Sequence, residues 1–272
     1  MIILDYETYS DLDIRKVSTD RYASHPSTRV LMCAYAGETG PVSLWEEADG
    51  PEPLRELQAR MHRETCVAWH VDFERGITNN KWPAARPGAW LDAMVLALYS
   101  GLPAGLKDCN KLPYFTGESE TSKESVLINK FCKPQKDGRQ RNSETDPEDW
   151  AAFCEYCKAD VHDTRMILQW LTARFDWPER ERRVWLIDQA INARGIPIDR
   201  MLTYRAWEEA QRLQGQGQED LKALTGLDNP NSPAQLLKWL RERGYPYTSM
   251  AKEMVKRAIN EDPGKDADDL DD

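Results

Sequence analysis

Ile2-Ile3-Leu4-Asp5-Tyr6-Glu7-Thr8 sets an apolar run directly against two acids spaced by a single residue. The run reads as a strand over 2–8, and consecutive aliphatic residues imply burial on both faces. Residues two apart on a strand share a face, so the Asp5 and Glu7 carboxylates leave a rigid support in the same direction. A rigid pair of carboxylates suits a hard divalent cation. Without one, like charges held together oppose each other's ionisation. A solvated strand edge would carry the same pair, but a run buried on both sides argues against an edge.

Two further segments carry acids in matching settings. In Val67-Ala68-Trp69-His70-Val71-Asp72-Phe73-Glu74, a short strand over 66–69 gives way to a helix over 72–80, which puts Glu74 near the junction. The third segment is a helix opening at Asp146, a natural N-cap, with Pro147 at the first helical position. Glu148 and Asp149 then suit the positive end of the helix dipole. Apolar or small residues recur at Trp150, Phe153, Cys157, Val161, Thr164 and Leu168, the spacing of a buried helical stripe. On that helix Tyr156 and Asp160 lie four apart and face the same way.

Taken together, Asp5-x-Glu7, Phe73-Glu74 and Tyr156-x-x-x-Asp160 resemble the three exonuclease motifs of the DEDD superfamily in its tyrosine subclass. Asp20-Arg21-Tyr22-Ala23-Ser24-His25-Pro26-Ser27-Thr28, Gly101-Leu102-Pro103 and Leu224-Thr225-Gly226-Leu227-Asp228-Asn229-Pro230-Asn231-Ser232-Pro233-Ala234-Gln235-Leu236-Leu237 resemble phage-type family A DNA polymerases. The likeness runs to about Asn260. It implies a 3′→5′ proofreading exonuclease domain of ribonuclease-H-like fold, followed by the beginning of a polymerase thumb.

The resemblance implies a two-cation site for Mg²⁺ or Mn²⁺, an oxygen-only donor set that suits either ion. By the family's pattern Asp5 would bridge both ions, and Glu7 and Asp160 would complete the site that activates water. Glu74 would hold the second ion through its water shell. Tyr156 would orient the attacking water; a phenol of pKa about 10 is a poor base at neutral pH. Thr8 and His70 would contact the substrate. Two departures stand out: Glu74 is one methylene longer than the usual Asp, and His70 occupies a position where relatives carry Asn. His70 contacting the 3′-terminal nucleotide and His70 merely capping the strand both remain open. Asp72 competes with Glu74, but the Phe-acid order favours Glu74. His162 adjoins Asp160 yet is not four residues before it, so the histidine subclass does not fit.

The 272-residue chain, 40% hydrophobic, suffices for one sizeable core plus an appendage. Its net charge of −10 is unusual for a nucleic-acid enzyme, so the distribution matters more than the sum. Seven of the acids fall in Glu261 to Asp272, a tail with almost no apolar content that is expected to be disordered. From Lys107 to Arg141 eight basic residues stand against five acidic ones, and 133–141 reads as a basic loop. Such a loop either tracks the phosphates of a single strand or is simply solvated. The six cysteines are scattered, and Cys154-x-x-Cys157 lies inside a helix with no second pair, so thiols are expected rather than a zinc site. No stretch approaches the roughly 20 apolar residues of a membrane span. These features point to a reducing compartment, the cytoplasm, or a host's cytoplasm if the chain is phage-encoded.

The expected fold class is α/β: a mixed sheet flanked by helices over 1–178, an all-helical segment over 179–260, then the tail over 261–272. Strands are expected over 2–8, 30–36, 42–45 and 66–69, with helices over 52–62, 72–80 and from 92 onward. After 178, Gly195 stops one helix, Asp199 caps a second, and Ser232 to Gln235 opens a third that closes at Gly244. Trp185, Trp207, Leu237, Trp239 and Leu240 are expected to pack rather than stack on bases. Palm and fingers motifs are absent, so polymerisation is not expected. The acidic ending reads as a natural terminus, which favours half of a split polymerase or a free-standing nuclease over an experimental fragment. The expected partners are single-stranded or frayed DNA 3′ ends and a separate polymerase chain supplying palm and fingers. Two alternatives stand beside this: a 3′ exoribonuclease of the same superfamily, and a non-catalytic DNA-holding or assembly subunit.

Overall fold

A computed structural model describes residues 1–115, 124–135 and 138–260. The acidic tail, Lys123 and Lys136 lie outside the described residues. Contacts divide the chain into two compact units, Met1–Trp185 and a second beginning at Leu186.

The first unit is built on a five-stranded mixed sheet in the order β3-β2-β1-β4-β5. Its strands are β1 (Ile2–Tyr9), β2 (Arg29–Ala36), β3 (Ser43–Glu46), β4 (Cys66–Ala68) and β5 (Trp90–Asp92). The β1–β2 and β2–β3 pairs are antiparallel, whereas β4 runs parallel to β1 and β5 parallel to β4. With β1 in the centre, its aliphatic run is buried on both sides, as the sequence requires. The helices of this unit are α1 (Thr19–Ser24), α2 (Pro51–Arg63), α3 (Val71–Lys81), α4 (Ala93–Tyr99), α5 (Leu106–Asn110), α6 (Glu124–Phe131) and α7 (Pro147–Thr172). A mixed sheet in this order, flanked by helices, is a ribonuclease-H-like fold.

The pleat of β1 sorts its side chains between two cores. Ile2, Leu4 and Tyr6 meet Tyr22 of α1, Leu57 and Met61 of α2 and Ile77 of α3. Ile3 faces the opposite core, with Phe131 of α6 and Trp150, Phe153, Tyr156 and Cys157 of α7. Asp5 and Glu7 share the pleat of Ile3, which aims both acids at α7. The expected stripe of α7 is buried at every position named for it. Asp146 does stand at its N-cap position, but its side chain makes no cap bond and instead pairs with Lys130 at 2.9 Å. The lysine charge outcompetes the helix amides for that carboxylate.

Beyond α7 the described residues form helices only: α8 (Glu179–Arg194), α9 (Arg200–Thr225), α10 (Pro233–Arg241) and α11 (Lys252–Asn260). Asp199 caps α9, accepting from the amides of Met201 and Leu202 at 3.0 Å, and Ser232 caps α10. Gly195 and Gly226 take left-handed conformations at the ends of α8 and α9, where a Cβ would be strained. The division expected after 178 and the parting of contacts after Trp185 differ because Trp185 packs on Ala68 and Val71. Trp207 departs from its expected packing role: it is 57% exposed on α9. Stripe residues of α8 (Val184, Ile187 and Ile191) are about half exposed as well. Among the described residues no helix is long and apolar enough to cross a membrane.

Phe153 is fully buried and stacks on both Phe131 and Tyr156. Phe153→Ala is expected to destabilise the first unit by about 3–5 kcal/mol in urea unfolding, because the cavity opens between three rings.

Candidate active site

Two acids of β1 face one of α7, and a fourth acid on α3 lies within electrostatic reach of the β1 pair. Asp5 and Glu7 arrive from β1, Asp160 from α7, and Glu74 from the first turns of α3. A bulge in the β1–β2 ladder follows Glu7: Glu7 pairs with Met32 while Thr8 pairs with Val30. Leu31 is thus the extra residue, and the strand pair bends just where the second acid leaves it.

Burial dominates the electrostatics. Desolvation raises the pKa of Asp5 to about 6 and, with the added repulsion of Asp5, that of Asp160 to about 7. Glu7 is pushed well above the usual carboxylate range by burial and then by Asp5 and Asp160. Glu74 is raised likewise by burial and then by Asp5, with Asp92 and Glu7 adding to it. Every one of these acids therefore feels another, and the Lys107 charge only partly counters this at Asp160.

Thiols and a phenol supply the neutral contacts. The Cys157 thiol lies 3.5 Å from Asp5 Oδ2, and the Cys132 thiol lies 3.6 Å from Glu7 Oε2. Burial and the adjacent carboxylates push both thiols up, so they remain protonated donors. Tyr156 donates its hydroxyl to Asp160, and burial and the surrounding acids raise its pKa far above that of a free phenol. It is held as a neutral donor. Glu74 is the exception: its Oε2 is buried with no hydrogen-bond partner. A buried carboxylate oxygen left without a partner is costly unless a cation or water completes it.

These observations fit a divalent-cation site: an all-oxygen acid cluster, mutual repulsion, and one orphaned oxygen. Among the described residues no three acids, cysteines or histidines stand close enough together to hold an ion as they are. The side chains would have to draw in on binding, which costs little for carboxylates on flexible terminal torsions.

Other expected residues fall inside and outside this cluster. Asp72 pairs with Arg75 at 2.8 Å on the outer side of α3, so Glu74 is the acid that enters. Thr8 is buried beside Glu7, and its hydroxyl lies 2.9 Å from that of Tyr22, already engaged. His70 is exposed at the N-cap position of α3, in a left-handed conformation with φ of 69°, and makes no side-chain cap bond. His162 turns to Asp163, which also takes a hydrogen bond from Asn110. Cys154 and Cys157 are free thiols, as expected. Beside Glu7 and Thr8 opens a cavity of about 150 Å³, lined also by Leu12, Ile14, Phe73, Ile128 and Lys133. Of the basic stretch, Lys111 and Lys130 are held by local acids, whereas Lys133 lies at this cavity. The sequence presents Cys157 as a packing thiol of its helix and not as a partner of Asp5, and singles out neither Cys132 nor Asp92 as a site residue. No local pattern marks them, because their partners are distant in the chain.

No family model matches the chain. Over 265 residues it is 33% identical to a DNA polymerase of Bacillus phage SP02, an alignment covering 94% of this chain and 41% of that protein. The chain is thus similar to a phage DNA polymerase along nearly all its length, and spans less than half the length of that relative.

The raised carboxylates fix the sign of a pH effect. A group that binds its proton more tightly when folded stabilises the fold at low pH and loses that contribution as the pH rises through its folded value. In chelator, the thermal midpoint is expected to fall as the pH climbs from about 4, the ordinary carboxylate value, through about 6 and about 7. Asp160→Asn should flatten that slope, and scanning calorimetry of both proteins measures it.

Proposed function

We propose that the chain is a 3′→5′ exonuclease acting on DNA ends and releasing mononucleotides, in the service of a DNA polymerase. The observation that carries this reading is the proximity of Asp5, Glu7, Glu74 and Asp160, two of them buried and two half-buried, with the Tyr156 hydroxyl on Asp160, on a ribonuclease-H-like sheet. The similarity to a phage DNA polymerase supports DNA as substrate and proofreading as setting.

Two divalent cations, Mg²⁺ or Mn²⁺, would supply an activated water and neutralise charge at the phosphate and the departing 3′ oxygen. Asp5, Glu7 and Asp160 would hold one ion, with Asp5 shared and Glu74 reaching the other. Tyr156, its one O–H proton given to Asp160, would accept a hydrogen bond from the attacking water through its oxygen and fix its direction rather than take its proton. Cys132 and Cys157 leave the acids one neutral donor each and add no charge for the ions to overcome. The cavity beside Glu7 and Thr8 would take the terminal nucleotide, with Phe73, Leu12 and Ile14 as its apolar walls and Lys133 near the phosphates. A duplex end would have to unpair to reach it, so single-stranded or frayed ends are preferred. The exposed apolar residues of α8 and α9 are where polymerase palm and fingers would be accommodated.

Digestion of a 5′-labelled single-stranded DNA, beside a matched RNA, tests this. A ladder shortening from the 3′ end on DNA is expected with Mg²⁺ or Mn²⁺ and none in chelator. Asp5→Ala should lower the rate at least about 100-fold, since losing a ligand exceeds the 10–100-fold cost of losing a residue that only supports one. Tyr156→Phe should cost less than Asp5→Ala, because it removes a positioning hydrogen bond and no ligand. An intact oligonucleotide in both metals defeats the catalytic reading and leaves a DNA-holding role; preference for RNA moves the substrate class.

A further inference from the structure

Glu74 reaches the acid cluster from the first turns of α3, and its Oε2 has no hydrogen-bond partner to fix it. Its position therefore depends on how α3 begins. That beginning is unusual. His70 carries the one positive φ of any non-glycine residue among the described ones, at 69°. Histidine visits this region more readily than most residues, but it still needs its surroundings to hold it there.

The hold comes from another strand. Asp92, the last residue of β5, is 3% exposed, and its Oδ2 accepts the amide of Val71 at 3.0 Å. The backbone of His70 also hydrogen-bonds to it. Its Oδ1 accepts the amide of Val95 at 3.2 Å, capping α4. One carboxylate thus fastens the starts of two helices. Around it Ala68, Val71, Val95, Trp90, Trp177 and Trp185 exclude water, so no solvent can replace the bond to Val71. A simple N-cap of α4 would need one oxygen only. With both oxygens committed to amides, Asp92 is also not free to act as a fifth ligand.

We propose that Asp92 is a positioning residue: by pinning the His70–Val71 turn across the β4–β5 edge, it sets where Glu74 presents its carboxylate to a divalent cation. The inference rests on the cation-site reading above. It accounts for the left-handed His70 and for a buried acid outside the cluster with one explanation. It also suits Glu74, whose extra methylene makes its reach more sensitive to the direction in which α3 sets out.

The test uses the full chain with Asp92→Ser, a side chain that still caps α4 but is too short to hold Val71 as well. Two readouts are independent of nuclease activity: amide hydrogen exchange, and Mn²⁺ binding by calorimetry or electron paramagnetic resonance. Faster exchange is expected over Val71–Arg75, with Val95–Ala97 unchanged and Mn²⁺ affinity lowered about tenfold, the lower end of what supporting residues contribute. Adding His70→Gly should restore part of the Mn²⁺ affinity, since glycine adopts the left-handed turn without help. A purely structural cap would not be rescued in this way. Unchanged Mn²⁺ affinity, or exchange raised uniformly across the first unit, overturns the proposal. Should Asp92→Ser not fold, Asp92→Asn, which keeps only one of the two accepting oxygens, is read by the same criteria. A wild-type chain that binds Mn²⁺ as described but degrades no DNA removes the exonuclease reading and leaves this one standing. A wild-type chain that binds no Mn²⁺ removes both.

Discussion

Four carboxylates brought within electrostatic reach of one another by the central strand, α3 and the long helix are the constraint around which the first unit is arranged. Buried like charges are expensive, and each raises the cost of ionising the next. The fold tolerates them because β1 lies in the middle of the sheet, where aliphatic neighbours on both faces fix its position. Ile2, Leu4 and Tyr6 anchor one side while Ile3 anchors the other, fixing the backbone from which Asp5 and Glu7 project. The thiols of Cys132 and Cys157 and the Tyr156 hydroxyl offset part of the cost without supplying a countercharge. The remaining mismatch, seen most plainly at Glu74 Oε2, is the feature that a cation would resolve.

The same constraint explains why α7 is long and uniformly packed. It has to lie against β1, carry Tyr156 and Asp160 on one face, and bury aromatic surface against α6. Phe131, Trp150, Phe153 and Tyr156 form a continuous series of ring contacts along it. Those contacts hold the Tyr156 ring from behind, so that its hydroxyl meets Asp160 in a fixed direction. Packing and chemistry share one element here, and a disturbance of either is felt by the other.

The helices from Leu186 onward follow a different economy. Their ends are well specified by Asp199, Ser232, Gly195 and Gly226, yet large side chains such as Trp207, Leu202 and Leu224 remain more than half exposed. Local signals settle where each helix starts and stops, since caps act within a turn. They say nothing about what covers a helix face. That is why the bounds of α9 and the start of α10 follow from their residues, although α10 ends at Arg241 rather than running on to Gly244, while the expected burial of Trp207 does not.

In the first unit the strand carrying Asp5 and Glu7, the helix carrying Tyr156 and Asp160, and the strand-to-helix step before Glu74 were all legible from the chain. Each depends on periodicity or capping among near neighbours. The three-residue strand β5 was not, because Trp90–Asp92 has too few residues to show alternation; it exists only because β4 offers an edge. Asp146 displays every local mark of an N-cap, and Lys130 takes its carboxylate instead. Cys132, Cys157 and Asp92 matter through partners that are far away in sequence. Local pattern, then, determined which acids would be presented and on which element. Only the tertiary structure decided which of them meet, what neutral groups surround them, and how the turn before Glu74 is held, because those are contacts between segments that no spacing along the chain encodes.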